Sequence, residues 1–141
     1  MYLVDTSLWI DYINGKEGEH IAFLDTLLQN PLVVGITDVI YMEILQGAEN
    51  ERHFTRFRDY FSSQRFYQLQ QAHISHEQAA RIYFDCRRKG ITVRSTIDCL
   101  IAQCAIENNL VLLHHDRDFK QMGTVISNLN QRHFLPDKPG I

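Results

Sequence analysis

Four acidic side chains, Asp5, Glu43, Asp98 and Asp116, lie where the pattern of the chain can bring them together. Asp5 follows the short apolar run Tyr2-Leu3-Val4. Asp116 follows Leu110-Val111-Leu112-Leu113, with His114 and His115 between. Both runs have strand character. In open α/β sheets, the carboxyl ends of the strands form the edge where ligands bind. Glu43 shares a helical face with Val39 and Ile40, and Asp98 heads the stripe Ile101, Ala102, Ala105 at i, i+3, i+4, i+7. Each acid alone has an ordinary explanation. Asp5-Thr6-Ser7 is capping chemistry, Asp98 in a first helical turn is favoured by the dipole, and Glu43 can reach water from a stripe's edge. Converging, the four would repel one another strongly without a cation. A donor set of carboxylate oxygens suits Mg²⁺ or Mn²⁺ rather than zinc. Such an ion is suited to phosphodiester hydrolysis. Thr6, Ser7 and Thr96 are hydroxyls placed to orient the carboxylates.

The elements that must position these residues follow from periodicity. Strands are predicted at residues 2–4, 32–36 and 110–113, with shorter candidates at 66–69 and 125–126. Thr6 or Ser7 is read as the cap of a first helix starting near Leu8. A second helix runs over 21–28 and stops before Asn30-Pro31. Thr37 caps a helix over 38–46, with Gly47 as its stop. Asn50 caps a helix to residue 62, whose Phe54, Phe57 and Phe61 are read as core. Ser75 and Gln78 resemble a capping box opening a helix to about Lys89. Ser95 and Thr96 precede a helix over 97–108. Strands alternating with helices predict a three-layer α/β/α fold around a short, mostly parallel sheet. No linker or repeat divides the chain, so residues 1–141 are read as one domain, with 135–141 a surface tail.

Composition narrows the function classes. Hydrophobic content of 45% with 22% charged residues excludes a disordered chain, and no apolar run approaches a membrane span. No basic region followed by an apolar stretch opens the chain, so the cytoplasm is expected. Cys86, Cys99 and Cys104 have neither disulfide nor zinc-site spacing, and Cys99 and Cys104 are read as core. The net charge of -3 announces no nucleic-acid partner. Any such contact must be local, and Arg87, Arg88, Lys89 and Arg94 are the densest basic group. His114 and His115 open a second reading, metal-independent RNA cleavage by paired imidazoles. Adjacent residues diverge along the backbone, and that reading leaves the acids unexplained.

Together the motifs carry a resemblance. Leu3 to Asp11, with the core Val4-Asp5-Thr6-Ser7, is similar to the opening of PIN-domain nucleases. Glu43-Ile44-Leu45-Gln46-Gly47 resembles their glutamate-bearing helix. Gly90 to Ala102, including Asp98, and Leu112 to Phe119, including Asp116, resemble the third and fourth motifs. The nearest likeness is to VapC-type toxins of toxin–antitoxin pairs, and it covers nearly the whole chain. The resemblance implies a PIN-like fold and a Mg²⁺- or Mn²⁺-dependent endoribonuclease acting on structured RNA such as tRNA or rRNA. It also implies a homodimer held in check by a VapB-type antitoxin. Asp5, Glu43, Asp98 and Asp116 take the metal-site positions, and Asp118 ranks behind them. The family often has Thr or Ser where this chain has His114. An alternative within the family is a catalytically weak scaffold serving a DNA-binding toxin–antitoxin complex.

Overall fold

A computed structural model describes residues 1–137. The five strands are β1 (Tyr2–Val4), β2 (Val34–Thr37), β3 (Arg65–Tyr67), β4 (Val111–Leu113) and β5 (Gln131–Arg132). The seven helices are α1 (Thr6–Ile13), α2 (Glu19–Leu28), α3 (Asp38–Gln46), α4 (Glu51–Phe61), α5 (Ala72–Arg88), α6 (Thr96–Glu107) and α7 (Arg117–Met122). The sheet order is β3-β2-β1-β4-β5, and every pairing is parallel. In register, Leu3 lies opposite Gly35 on one side and Leu112 on the other.

The chain starts in the middle of the sheet, builds outward through β2 to β3, then returns past β1 to lay down β4 and β5. Right-handed crossovers put α1 to α4 on one face and α5 to α7 on the other. Within each layer, α1 packs on α2 and α3, α3 on α4, and α5 on α6. The direction of building reverses between β1 and β4. That reversal opens a crevice at their carboxyl ends, the place where such sheets bind ligands.

The central strands are covered on both faces, which explains their unbroken apolar runs. Leu3, Val4, Ile36, Leu112 and Leu113 are fully buried against Leu8, Trp9, Ile40 and Ile44 on one side and Ile101, Ala102 and Ala105 on the other. Gly35 is needed in β2, because a Cβ there would lie 2.2 Å from the ring of Tyr67 on β3. All three cysteines are free and buried. Among the described residues no helix is long and apolar enough to cross a membrane.

Several local expectations are corrected. Asp5, not Thr6 or Ser7, caps α1. Pro31–Val33 forms a 3-10 turn, so β2 begins at Val34. Proline, with no N–H and a fixed φ, suits a first helical position. The buried Ser75 hydroxyl accepts the Gln71 N–H and donates to Glu107 Oε1, so α5 starts a turn before the presumed capping box. Residues 125 and 126 form no strand, and their N–H groups turn back to the Met122 carbonyl. The last strand is instead the polar pair Gln131–Arg132. Only Phe61 of the α4 aromatic stripe is buried, and Phe54 is exposed. At the start of the expected surface tail, Pro136 and Asp137 are exposed, and Lys120 Nζ donates to the Pro136 carbonyl and pairs with Asp137. Residues 138–141 of that tail lie outside the described residues.

Candidate active site

The crevice between β1 and β4 is built by strand ends turning directly into helices. Asp5 leaves β1 with its backbone N–H still bonded to the Leu113 carbonyl at 2.9 Å. Its Oδ2 accepts the Ser7 N–H at 3.0 Å, capping α1. Asp116 repeats the device after β4, with its Oδ1 accepting the Asp118 N–H at 2.9 Å to cap α7. Both acids are thus fixed by backbone donors, and each keeps a second carboxylate oxygen for other partners. Thr37 caps α3 by accepting the Ile40 N–H, which aims that helix from the end of β2. Glu43, one turn further on, is half-buried, and its Oε1 accepts the Thr6 hydroxyl at 2.7 Å. Asp98 enters from the other layer, in the first turn of α6 and half-buried.

Electrostatics tie these acids into one cluster. Burial pushes the Asp5 carboxyl up to about 6, and charge on Glu43 and Asp116 pushes the same way, against the lowering by the Ser7 N–H. Asp98 is pushed up to about 7, by burial first, then by Asp5, Asp116, Asp118 and Glu43. A carboxyl held near neutrality by burial and by other carboxylates marks a site that favours a cation. The donor set, oxygen throughout, fits a hard divalent ion. No three of these acids bring their oxygens within 4.8 Å of one another; among the described residues only Asp11, His20 and His115 form such a group. A divalent ion held here would have to draw their oxygens closer together.

The flanking residues sort differently from their sequence order. Thr6 orients Glu43, while the Ser7 Oγ accepts the His115 N–H at 3.0 Å and ties α1 to the β4 exit. Thr96 does not join them. It is exposed, and its side chain makes no hydrogen bond among the described residues. It precedes Asp98 by two residues, about 200° around the helix, so the two side chains diverge. Arg94 does not extend the basic group of Arg87, Arg88 and Lys89. Its Nε donates to Asp118 Oδ2 at 3.1 Å, and its guanidinium lies 3.8 Å from Asp116. Asp118 also accepts the Arg94 backbone N–H, so this buried acid is already paired. Arg87 and Arg88 instead lie over the rings of Tyr83 and Phe84, on the exposed end of α5.

His114 is enclosed within the fold rather than offered to the crevice. It is fully buried, and burial pushes its imidazole down to about 4. Nδ1 accepts the Asp116 N–H at 3.1 Å, and Nε2 donates to Gln131 Oε1 at 2.6 Å. Gln131 in turn donates to the Phe119 carbonyl. With both ring nitrogens occupied, His114 cannot serve the paired-imidazole mechanism. It braces the backbone that carries Asp116. Sequence reading missed this role, because β5, which supplies Gln131, has no apolar signature. Asp11 and His20 were missed as well, since nothing in their spacing points to His115.

Comparison with known proteins shows the family and the fold. The family model described as "PIN domain" matches residues 2–125. Ribonuclease VapC11 of Mycobacterium tuberculosis and a VapC ribonuclease of Mycobacterium bovis are each 33% identical over 135 residues, covering 95% of this chain and 99% of the relative. Among solved structures, VapBC2 from Rickettsia felis bound to a promoter DNA fragment superposes with a TM-score of 0.72 at 20% identity. That match covers 94% of this chain and 98% of the other. DNA-bound VapBC from Salmonella typhimurium also gives 0.72, at 21% identity over 94% and 96% of the two chains. The chain belongs to the PIN-domain family and, within it, to the VapC ribonucleases.

Proposed function

We propose that this protein is the toxin of a toxin–antitoxin pair, a Mg²⁺- or Mn²⁺-dependent endoribonuclease that hydrolyses RNA phosphodiesters, with tRNA or rRNA as substrate. The observation that carries the chemistry is the placement of Asp5 and Asp116 at the carboxyl ends of the adjacent parallel strands β1 and β4, each held by a helix amide, with Glu43 held to Thr6 of the helix that Asp5 caps. The relatives' names supply the substrate class, and the neighbours seen with VapB partners supply the expectation of a VapB-type antitoxin. A homodimer in the cytoplasm completes the reading.

Asp5, Asp98, Asp116 and Glu43 would hold the ion. An ion held there would supply positive charge toward the phosphate and acidify a water. The chain's own contribution is orientation. The α1 and α7 amides fix one oxygen each of Asp5 and Asp116, and Thr6 fixes Glu43. Arg94 pairs with Asp118 and so offsets part of the charge that Asp118 adds to the cluster, and its exposed guanidinium lies beside Asp116, where a phosphate would enter. Arg87, Arg88 and Lys89 offer a separate, salt-sensitive backbone contact.

The test is cleavage of total RNA by purified protein, followed by sequencing of the new ends. The expected result is site-selective cleavage that requires Mg²⁺ or Mn²⁺, stops in EDTA and is lost in Asp5→Asn, Glu43→Gln, Asp98→Asn and Asp116→Asn. EDTA-resistant cleavage leaving 2′,3′-cyclic phosphate ends would overturn the metal mechanism. Undiminished toxicity of all four variants on induction would remove the nuclease reading altogether.

A further inference from the structure

We propose that Asp11, His20 and His115 form a second metal site, distinct from the acid cluster and selective for a borderline transition-metal ion of the Zn²⁺ class. The three residues come from separate elements: the second turn of α1, the start of α2 and the exit of β4. Their ligand atoms all lie within 4.8 Å of one another. His20 Nε2 is 3.1 Å from Asp11 Oδ2, and His115 Nε2 is 3.9 Å from the same oxygen. Nitrogens and oxygens around one tetrahedral zinc stand roughly 3.3 Å apart, from bond lengths near 2.0 Å. The Asp11–His20 pair already stands at that spacing, and the Asp11–His115 pair needs to close by about 0.6 Å.

Other features of the chain fit a formed site. The Asp11 and His20 side chains are only 14% and 10% exposed. Gly18 caps α2 at φ 149°, and a Cβ there would lie 2.8 Å from the His20 ring, so the imidazole fills space that glycine leaves open. The His115 backbone is tied to Ser7 Oγ. The rings of His20 and His115 stack at 4.1 Å and 12°. Lone pairs lie in the ring planes, so in this stack they run side by side rather than converge. One ring must rotate to bind, and His115, one-third exposed with its Nδ1 free of any hydrogen bond among the described residues, is the less constrained of the two. Lys16 Nζ, 3.7 Å from Asp11 Oδ1, supplies charge to the carboxylate in the metal-free state.

The donor set decides the ion. Two imidazoles and one carboxylate suit Zn²⁺, Co²⁺ or Ni²⁺, whereas Mg²⁺ prefers oxygen ligands and retained waters. Three protein ligands leave a fourth position open. The two sites should thus separate by metal type, although His115 and Asp116 are consecutive.

The experiment uses full-length, untagged protein stripped with chelator and titrated with Co²⁺ as a spectroscopic stand-in for Zn²⁺. The expected result is an intense visible d–d band of low-coordinate Co²⁺, abolished by one equivalent of Zn²⁺ and unmoved by excess Mg²⁺. His20→Gln and Asp11→Asn should each remove the band and weaken Zn²⁺ binding by more than roughly 100-fold, the upper cost of losing even an outer-shell partner, while Asp5→Asn keeps both. Should His20→Gln melt early, His115→Gln makes the same comparison. No band in the parent, a band that survives loss of His20, or one lost with Asp5→Asn would each overturn the proposal.

Discussion

Replacing Asp5 by Asn should stabilise the metal-free protein while abolishing its activity. Asp5 is 3% exposed, and its carboxyl is raised from 3.8 to about 6 by burial and by the charges on Glu43 and Asp116. Holding it ionised at pH 8 therefore costs about 3 kcal/mol. Asparagine keeps the oxygen that accepts the Ser7 N–H, and Asn caps helices as well as Asp. Its amide group can donate to the neighbouring carboxylates, at some desolvation cost. The net gain should be about 2 to 3 kcal/mol, or roughly 6 to 9 °C in melting temperature for a chain of this size.

The pH dependence follows from the direction of the shift. A carboxyl whose folded pKa is raised binds its proton more readily in the folded state. The parent therefore gains stability as pH falls through about 6, completes that gain below about 4, and loses it again as pH rises. Between pH 8 and pH 5 the advantage of Asp5→Asn should shrink by roughly half. Millimolar Mn²⁺ should raise the melting temperature of the parent more than that of the variant. Differential scanning calorimetry in EDTA at both pH values, then in Mn²⁺, measures all three. A variant that melts at or below the parent at pH 8, or a gap unchanged at pH 5, would refute the picture of a repelling cluster.

Three further outcomes test the supports of the site. His114→Ala strips the acceptor from the Asp116 N–H and the donor from Gln131; it should cost about 1 to 3 kcal/mol beyond the cavity it leaves and weaken Mn²⁺ binding, both read by calorimetry. Thr6→Val removes the hydroxyl that orients Glu43 with little change in volume; turnover should fall several-fold while melting moves by about 1 kcal/mol, separated by kinetics and thermal scans. Arg94→Gln strips the cation from Asp118 beside Asp116 and leaves only the backbone N–H; melting in EDTA should drop, and added Mn²⁺ should restore more than it does in the parent.

Much of the fold was legible because the central strands are buried on both faces and so carry continuous apolar runs. The strand at residues 110–113 and the helices over 38–46 and 97–108 followed from periodicity and capping residues. What failed was decided by partners distant in sequence. Ser75 reads as a cap until Glu107, 32 residues away, takes its hydroxyl. Gln131–Arg132 is a two-residue edge strand with no alternation to read, yet it supplies the brace for His114. Arg94 reads as part of a basic run and is instead an ion-pair partner of a buried acid 24 residues on. The spacing of the acids was visible, whereas the hydrogen bonds that aim them were not.

Capping α1 and holding a metal ion need not compete for Asp5. A carboxylate has two oxygens, and a helix N-terminus needs only one. At both Asp5 and Asp116 the helix amide engages one oxygen at a strand end, so the side chain loses rotational freedom before any ligand arrives. The dipole of each helix partly offsets the cost of crowding negative charge at the crevice. Placing such caps on β1 and β4, adjacent and parallel strands on either side of the reversal, brings two immobilised carboxylates to one edge of the sheet. Glu43 and Asp98 come from helices in opposite layers, and Thr6, the first residue of the helix that Asp5 caps, holds Glu43. The local rule that starts α1 is thereby the same interaction that prepares the site.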